Sequence, residues 1–243
     1  TRKLWNPMPR VAVIGAGISG LMCARTLVDH GCDVRVFEKS RGVSGRMATR
    51  RVTDRWSFDH GAQYFTARDE RFRRYVQSWV HDGHLSCWDG RIVVLENGVV
   101  HADKAGQPRY VAVPGMSSIG KHLASDLNVQ LATTVAVPRK VDDKWRLATE
   151  DGLELGEFAV PSQQAAPLMA HVPELSARAG GIKMNGCWAL MMAFEESLEL
   201  DFDGSFVQRS PLSWIARNSS KPGRNGNFET WVAHAGAEWT ESH

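Results

Sequence analysis

The chain has 243 residues, 43% hydrophobic and 23% charged, which excludes a disordered chain and suits one large domain or two intertwined ones. Its 29 basic and 27 acidic side chains leave a net charge of +2, so nothing in the charge balance calls for nucleic-acid or membrane-surface binding. No apolar run reaches the ~18 residues of a membrane span, and Thr1 to Pro9 lack the apolar stretch of a signal peptide. Cys23, Cys32, Cys87 and Cys187 form neither a C-x-x-C pair nor part of a zinc pattern, so a cytoplasmic protein with reduced thiols and no metal is expected.

In chain order, Arg10 to Ile14 reads as a buried parallel strand between Pro9 and Gly15. Ile18 to His30 carries apolar residues at helical spacing and stops at Gly31, and Val34 to Phe37 is a second strand, which completes a βαβ opening. Arg68 to His81 predicts an amphipathic helix. Arg91 to Val100 predicts a hairpin turning at Glu96-Asn97-Gly98. A strand at Tyr110 to Val113 and a helix over Ser117 to Leu127 follow. Val129 to Leu131, Thr133 to Val137 and Trp145 to Thr149 predict strands of a small antiparallel element, and Cys187 to Phe194 and Thr230 to His234 predict later strands. The order predicts an α/β protein: a Rossmann-type nucleotide-binding domain with an inserted α+β domain containing an antiparallel sheet. The expected division is 1–68 plus 113–165 for the nucleotide and 69–112 plus 166–243 for the substrate.

The strongest motif is Gly15-Ala16-Gly17-Ile18-Ser19-Gly20, placed after a strand, opening a helix, and followed by Glu38 at the end of the second strand. Gly15 allows the tight turn, Gly17 lets backbone approach a pyrophosphate, and Gly20 lets helix and strand pack closely. The helix start, including Ile18 and Ser19, offers free N–H groups and a positive dipole end to phosphate. Glu38 accepts from ribose hydroxyls and repels a 2′-phosphate, so FAD or NAD fits better than NADP. The loop Gly42 to Arg46 would add a second contact on the pyrophosphate through the forked Arg46 donor, which favours FAD; a solvated basic loop is the bland alternative.

The residues Lys39-Ser40-Arg41-Gly42 to Gly45-Arg46-Met47, Asp59 to Arg68, Pro114 to Ser117, Trp188-Ala189-Leu190, Trp214 to Arg224 and Trp231 to Ala235 resemble the bacterial renalase-like FAD-dependent oxidoreductases. These lie in the monoamine-oxidase-like branch of the glutathione-reductase-type superfamily. The resemblance implies that Glu38 and Lys39 hold the adenosine ribose, Arg46 the pyrophosphate, and the backbone of Val135 the adenine. Gly61, Ala62, Gln63 and Tyr64 would lie along a non-covalent flavin. Tyr64, Phe65, Thr66, Ala67 and Arg68, with Trp214, Asn218 and His234, would face the substrate. Each has a plainer reading: Trp188, Trp214 and Trp231 as core, His234 as a satisfied strand histidine, Gln63 and Tyr64 as turn residues, Met191 and Met192 as core filler.

The family's apolar strand before a Val-Pro-x-x-Gln-Ala turn, here Ala159 to Ala165, is missing or mostly missing. The family pattern also continues past His243. A chain lacking that segment is expected to retain FAD weakly and turn over little. The implied activity is oxidation of isomeric dihydronicotinamide dinucleotides to NAD(P)+, with O2 reduced to H2O2 by a monomer or homodimer. No catalytic side chain is assigned, because the flavin carries the chemistry. A flavin amine oxidase and a non-catalytic FAD- or NAD-binding sensor remain open alternatives.

Overall fold

The computed structural model describes residues 10–53, 55–101, 106–142, 144–158, 173–181 and 184–243. Thr1 to Pro9, where no signal peptide is expected, and Ala159 to Ala165, where a turn is expected, lie outside the described residues. The first half of the chain runs β1 (Arg10–Ile14), α1 (Ile18–Asp29), β2 (Asp33–Phe37), β3 (Arg50–Arg51), β4 (Ser57–Phe58), α2 (Glu70–His81), β5 (Leu85–Cys87), β6 (Ile92–Glu96), β7 (Val99–His101) and β8 (Tyr110–Ala112). It continues through α3 (Ser117–Ala124), β9 (Asn128–Gln130), β10 (Arg139–Val141), β11 (Lys144–Ala148), β12 (Glu154–Phe158) and α4 (Pro173–Gly180). The last stretch contains β13 (Ala189–Phe194), β14 (Gly204–Gln208), β15 (Leu212–Arg217), β16 (Glu229–Ala235) and α5 (Ala237–Ser242).

Two compact units emerge, one ending its first segment at Gly45 and resuming over Gly120–Lys183, the other Arg46–Ile119 with Met184–His243. Residues 46–68, which the sequence reading groups with the nucleotide-binding part, cluster with the second unit. In the first unit, β1 and β9 flank β2 in a parallel sheet. Val11, Ala12, Val13, Val34, Val36 and Phe37 are buried, as a parallel strand covered on both faces requires. The antiparallel sheet β10-β11-β12 contributes Leu147, Trp145 and Leu155 to a cluster with Ala12 and Phe37. The strand expected over Thr133 to Val137 reduces to a bridge between Val135 and Thr149, because Pro138 follows and Val137 is exposed. The residues before Ala159 form β12, paired antiparallel with β11.

The second unit holds a six-stranded sheet in the order β13-β16-β15-β14-β6-β7. Its β14–β6 pair is parallel and the others are antiparallel. One face packs Val93, Phe202 and Trp231 with Met192, Phe194 and Ile215. Helix α2 starts at Asp69, whose carboxylate accepts from the amides of Arg71 (2.8 Å) and Phe72 (3.3 Å), and it buries Val76 and Trp79. No described helix is long and apolar enough to cross a membrane.

Candidate functional site

In the first unit the glycine loop leaves β1 through Gly15, whose φ of +101° needs glycine. A Cβ on Gly20 would overlap the carbonyl oxygen of Gly15, so only glycine lets α1 start against the turn. At Gly17 φ is −71° and a Cβ would meet nothing within 4 Å, so what glycine leaves there is open space beside the helix start. The first turn of α1 has no side-chain cap and no acidic residue, which keeps its amides and positive dipole end available to an anion. The buried Glu38 turns toward this loop. Its Oε2 accepts from the Ala16 amide at 2.7 Å and its Oε1 from the Ser40 amide at 2.8 Å. The Gly42 to Gly45 segment lies on the same loop, since the Ser44 amide donates to the Ala16 carbonyl at 2.8 Å. Lys39 and Ser19 are exposed beside it. Val135 pairs with Thr149 through bonds of its neighbours, Ala136 N–H to Ala148 O (2.9 Å) and Glu150 N–H to Thr134 O (3.3 Å), so its own amide and carbonyl turn the other way.

The second unit contains a pocket of about 390 Å³ lined by Gly61, Ala62, Gln63, Tyr64, Phe206, Ser213, Trp214 and His234. Strand register assembles one wall: Phe206 pairs with Trp214 and Trp214 with His234, so the three share one face of the sheet. Trp214 meets Phe206 edge-on at 4.7 Å and Tyr64 at 5.6 Å between ring centroids. The buried indole Nε1 of Trp214 has no hydrogen-bond partner among the described residues. The opposite wall is backbone. A Cβ on Gly61 would strike the Arg46 carbonyl, which also accepts the Ala62 amide at 2.8 Å. His234 Nε2 lies 2.9 Å from the His60 carbonyl, which fixes the tautomer with the proton on Nε2. Burial holds its pKa below the usual histidine value, and the charge on Lys221 adds to that.

Behind this wall sits a sealed ionic cluster. Asp59 accepts from Thr49 Oγ1 (2.7 Å) and the Met116 amide (2.9 Å) on Oδ1, and from Arg224 Nη2 (2.5 Å) and Nε (3.1 Å) on Oδ2. Burial alone would raise the Asp59 pKa, but the charges of Lys221 and Arg224, the Arg224 bond and the Met116 amide bring it below the usual carboxylate value. The fully buried Lys221 falls to about 7, through burial first, only partly offset by Asp59, with Arg224 pushing it lower. Among the described residues, no carboxylate lines the aromatic pocket.

The chain is similar to renalase. It is 26% identical to Renalase of Mus musculus over 182 residues, which is 69% of this chain and 52% of that protein. The chain therefore spans about half the length of that relative or less of the other curated relatives it matches. Residues 13–79 match the NAD(P)-binding Rossmann-like domain family. Among solved structures, reduced UDP-galactopyranose mutase aligns with a TM-score of 0.77 at 11% identity over 97% of this chain and 75% of that one. A redesigned putrescine oxidase aligns at 0.74 with 12% identity over 97% and 77%. These likenesses establish a Rossmann-like dinucleotide-binding fold.

Of the residues singled out from sequence, the second unit brings Gly61, Ala62, Gln63, Tyr64, Trp214 and His234 to one pocket. Phe65, Thr66, Ala67 and Arg68 do not line it. Phe65 pairs with Tyr110 through backbone bonds of 2.8 and 3.0 Å and packs on Phe72, and Arg68 is exposed. Asn218 is buried away from the pocket, where it accepts from the Asp59 amide and donates to the Ser57 carbonyl. Arg46 presents its carbonyl to Ala62 and its side chain to solvent. Sequence reasoning assigned no role to Phe206, Ser213, Asp59, Lys221 and Arg224. Lys221 and Arg224 carried a faint signal, two cations three residues apart in a run flanked by apolar strands. Phe206 carried none, because only the β14–β15 register brings it to Trp214.

Proposed function

We propose that the chain is an FAD-dependent oxidoreductase that oxidises isomeric dihydronicotinamide dinucleotides to NAD(P)+, with O2 reduced to H2O2. The loop residues suit the cofactor: the open space at Gly17, the uncapped helix start and the inward Glu38 form a cradle for a nucleoside diphosphate. Gly15, Gly17, Ile18, Ser19, Gly20, Glu38, Lys39 and Val135 would hold its adenosine diphosphate end. Arg46, Gly61, Ala62, Gln63 and Tyr64 are assigned to the pyrophosphate and flavin ring on the family resemblance. FAD, when bound, supplies the hydride acceptor and the route of electrons to O2.

The observation that carries the substrate reading is the pocket lined by three aromatic side chains, Tyr64, Phe206 and Trp214, and by no carboxylate of the described residues. Tyr64, Phe206 and Trp214 offer flat apolar surface to a dihydropyridine ring. Loss of hydride restores ring aromaticity, so the chain needs to supply no strong base, which agrees with a neutral His234 already committed to the His60 carbonyl. The aromatic walls and the likeness to putrescine oxidase also favour a second reading, an amine oxidase. A cationic amine, however, would find no carboxylate among the described residues that line the pocket. Anaerobic bleaching of the flavin absorbance by a panel of dihydronicotinamide isomers and amines tests this. Bleaching by the isomers supports the proposal, bleaching by amines alone replaces it with the second reading, and no bleaching by either leaves a binding module without turnover.

A further inference from the structure

Lysine is almost never fully buried without a partner, because desolvating an ammonium costs several kcal/mol. The Lys221 side chain has 0% of its surface exposed. The partner of Asp59 is nevertheless Arg224, at 2.5 and 3.1 Å, while Lys221 Nζ stands 3.7 Å from the carboxylate. The carboxylate would be neutralised without the lysine. Lys221 makes its closer contacts with neutral oxygens, Gln63 Oε1 at 2.9 Å and Asn218 Oδ1 at 3.3 Å. It also sits 5.7 Å above the Trp88 ring.

Gln63 explains what that contact achieves. Its Nε2 donates to the carbonyls of Asp59 and, at 3.2 Å, Gly61, so both amide hydrogens are spent. Its Oε1 is buried and takes the Lys221 ammonium. An ammonium has donors only. A flipped amide would set NH2 against NH3+ and oxygen against two carbonyls. His234 Nε2, 3.5 Å from Gln63 Nε2, already donates to His60, so it offers the amide no competing acceptor. Gln63 lines the pocket and Lys221 does not.

We propose that Lys221 is a positioning residue: from behind the pocket wall it holds the Gln63 carboxamide in one orientation, which ties the carbonyls of Asp59 and Gly61 into that wall. The charged and titratable groups around the pair are Asp59, Arg224, His234 and His60. Only the kinetic consequence rests on reading the pocket as the substrate site.

The test starts with ligand-free protein labelled with 15N-glutamine, in which the Gln63 side-chain amide is identified by its loss in Gln63→Met. Lys221→Met keeps the Asp59–Arg224 pair and removes the donor. Its Gln63 amide is expected to exchange with water about tenfold faster or more, since the buried Oε1 is then left without its donor. Exchange within about twofold of wild type overturns the proposal on the same scale. If Lys221→Met fails to fold, the wild type decides: the Gln63 amide must titrate in step with the Lys221 13Cε resonance, and titration with a histidine midpoint overturns the assignment. Turnover then follows. KM for a dihydronicotinamide isomer rises about tenfold in Lys221→Met with kcat within about twofold, and Lys221→Met/Gln63→Met adds nothing to Gln63→Met. Independent, multiplicative effects overturn action through Gln63. A changed amide with unchanged KM leaves the positioning role standing and refutes the pocket as substrate site.

Discussion

At the scale of single residues, two glycines of one motif are held by different constraints. Gly17→Ala meets open space at φ −71°, so the fold should tolerate it while the methyl fills the phosphate approach. We expect an unchanged melting temperature without cofactor and an FAD affinity lowered by about tenfold or more, read by flavin titration. Gly20→Ala drives a methyl into the Gly15 carbonyl, so the melting temperature itself should fall before any cofactor is added. Asp59→Asn separates charge from shape: Arg224 and Lys221 would keep their positions with no anion between them. Removing one partner of such a buried cluster costs about 3–5 kcal/mol, measurable as a shift in the urea midpoint. The turn at Gly15 and the close packing at Gly20 were legible in sequence because their requirements are local, whereas the bonds of Glu38 to the Ala16 and Ser40 amides were not. The ionic cluster was not, because Asp59 and Arg224 meet across 165 positions and nothing near either one announces the other.

At the scale of elements, the pocket is a product of register. Strands β14, β15 and β16 place Phe206, Trp214 and His234 on one face, and a slip of one residue would turn all three away. Phe206→Ala tests the wall with little risk to the core, because Phe206 is 43% exposed. Stability should change by less than about 1 kcal/mol, while KM for a dihydronicotinamide isomer rises and kcat holds, as loss of ground-state contact predicts. Strands β1, β2, β6, β7 and β16 and helices α1 and α2 were legible from apolar spacing and turn residues. Strand β14 was not, since Gly204-Ser205-Phe206-Val207-Gln208 has no clean alternation and is held by its neighbours β6 and β15. Asn218 was misplaced for a related reason: the sequence shows the polar residue after β15, not that its amide is consumed by Ser57 and Asp59.

For the molecule as a whole, the buried charges set how stability varies with pH. Lys221 titrates near 7 when folded and near 10.5 when unfolded, so between these values the unfolded chain binds the extra proton. Stability therefore rises with pH from about 7 upward, by at most about 1.4 kcal/mol per pH unit, and Lys221→Met should flatten that limb in urea melts. Asp59 acts in the opposite range, since its lowered pKa gives stability that is lost as acid protonates it. The two units are interleaved along the chain, and where the chain crosses between them was not visible in composition. The bond from His234 to the His60 carbonyl closes a separation of 174 positions. On the ribosome, β1, β2 and β9 have all emerged once Gln130 is clear of the exit tunnel, whereas Tyr64 must wait for β14 to β16 before its ring is covered. A nascent chain thus holds its β1-β2-β9 sheet paired while the Tyr64 ring stays bare until β15 emerges, and that interval is when a chaperone would be needed.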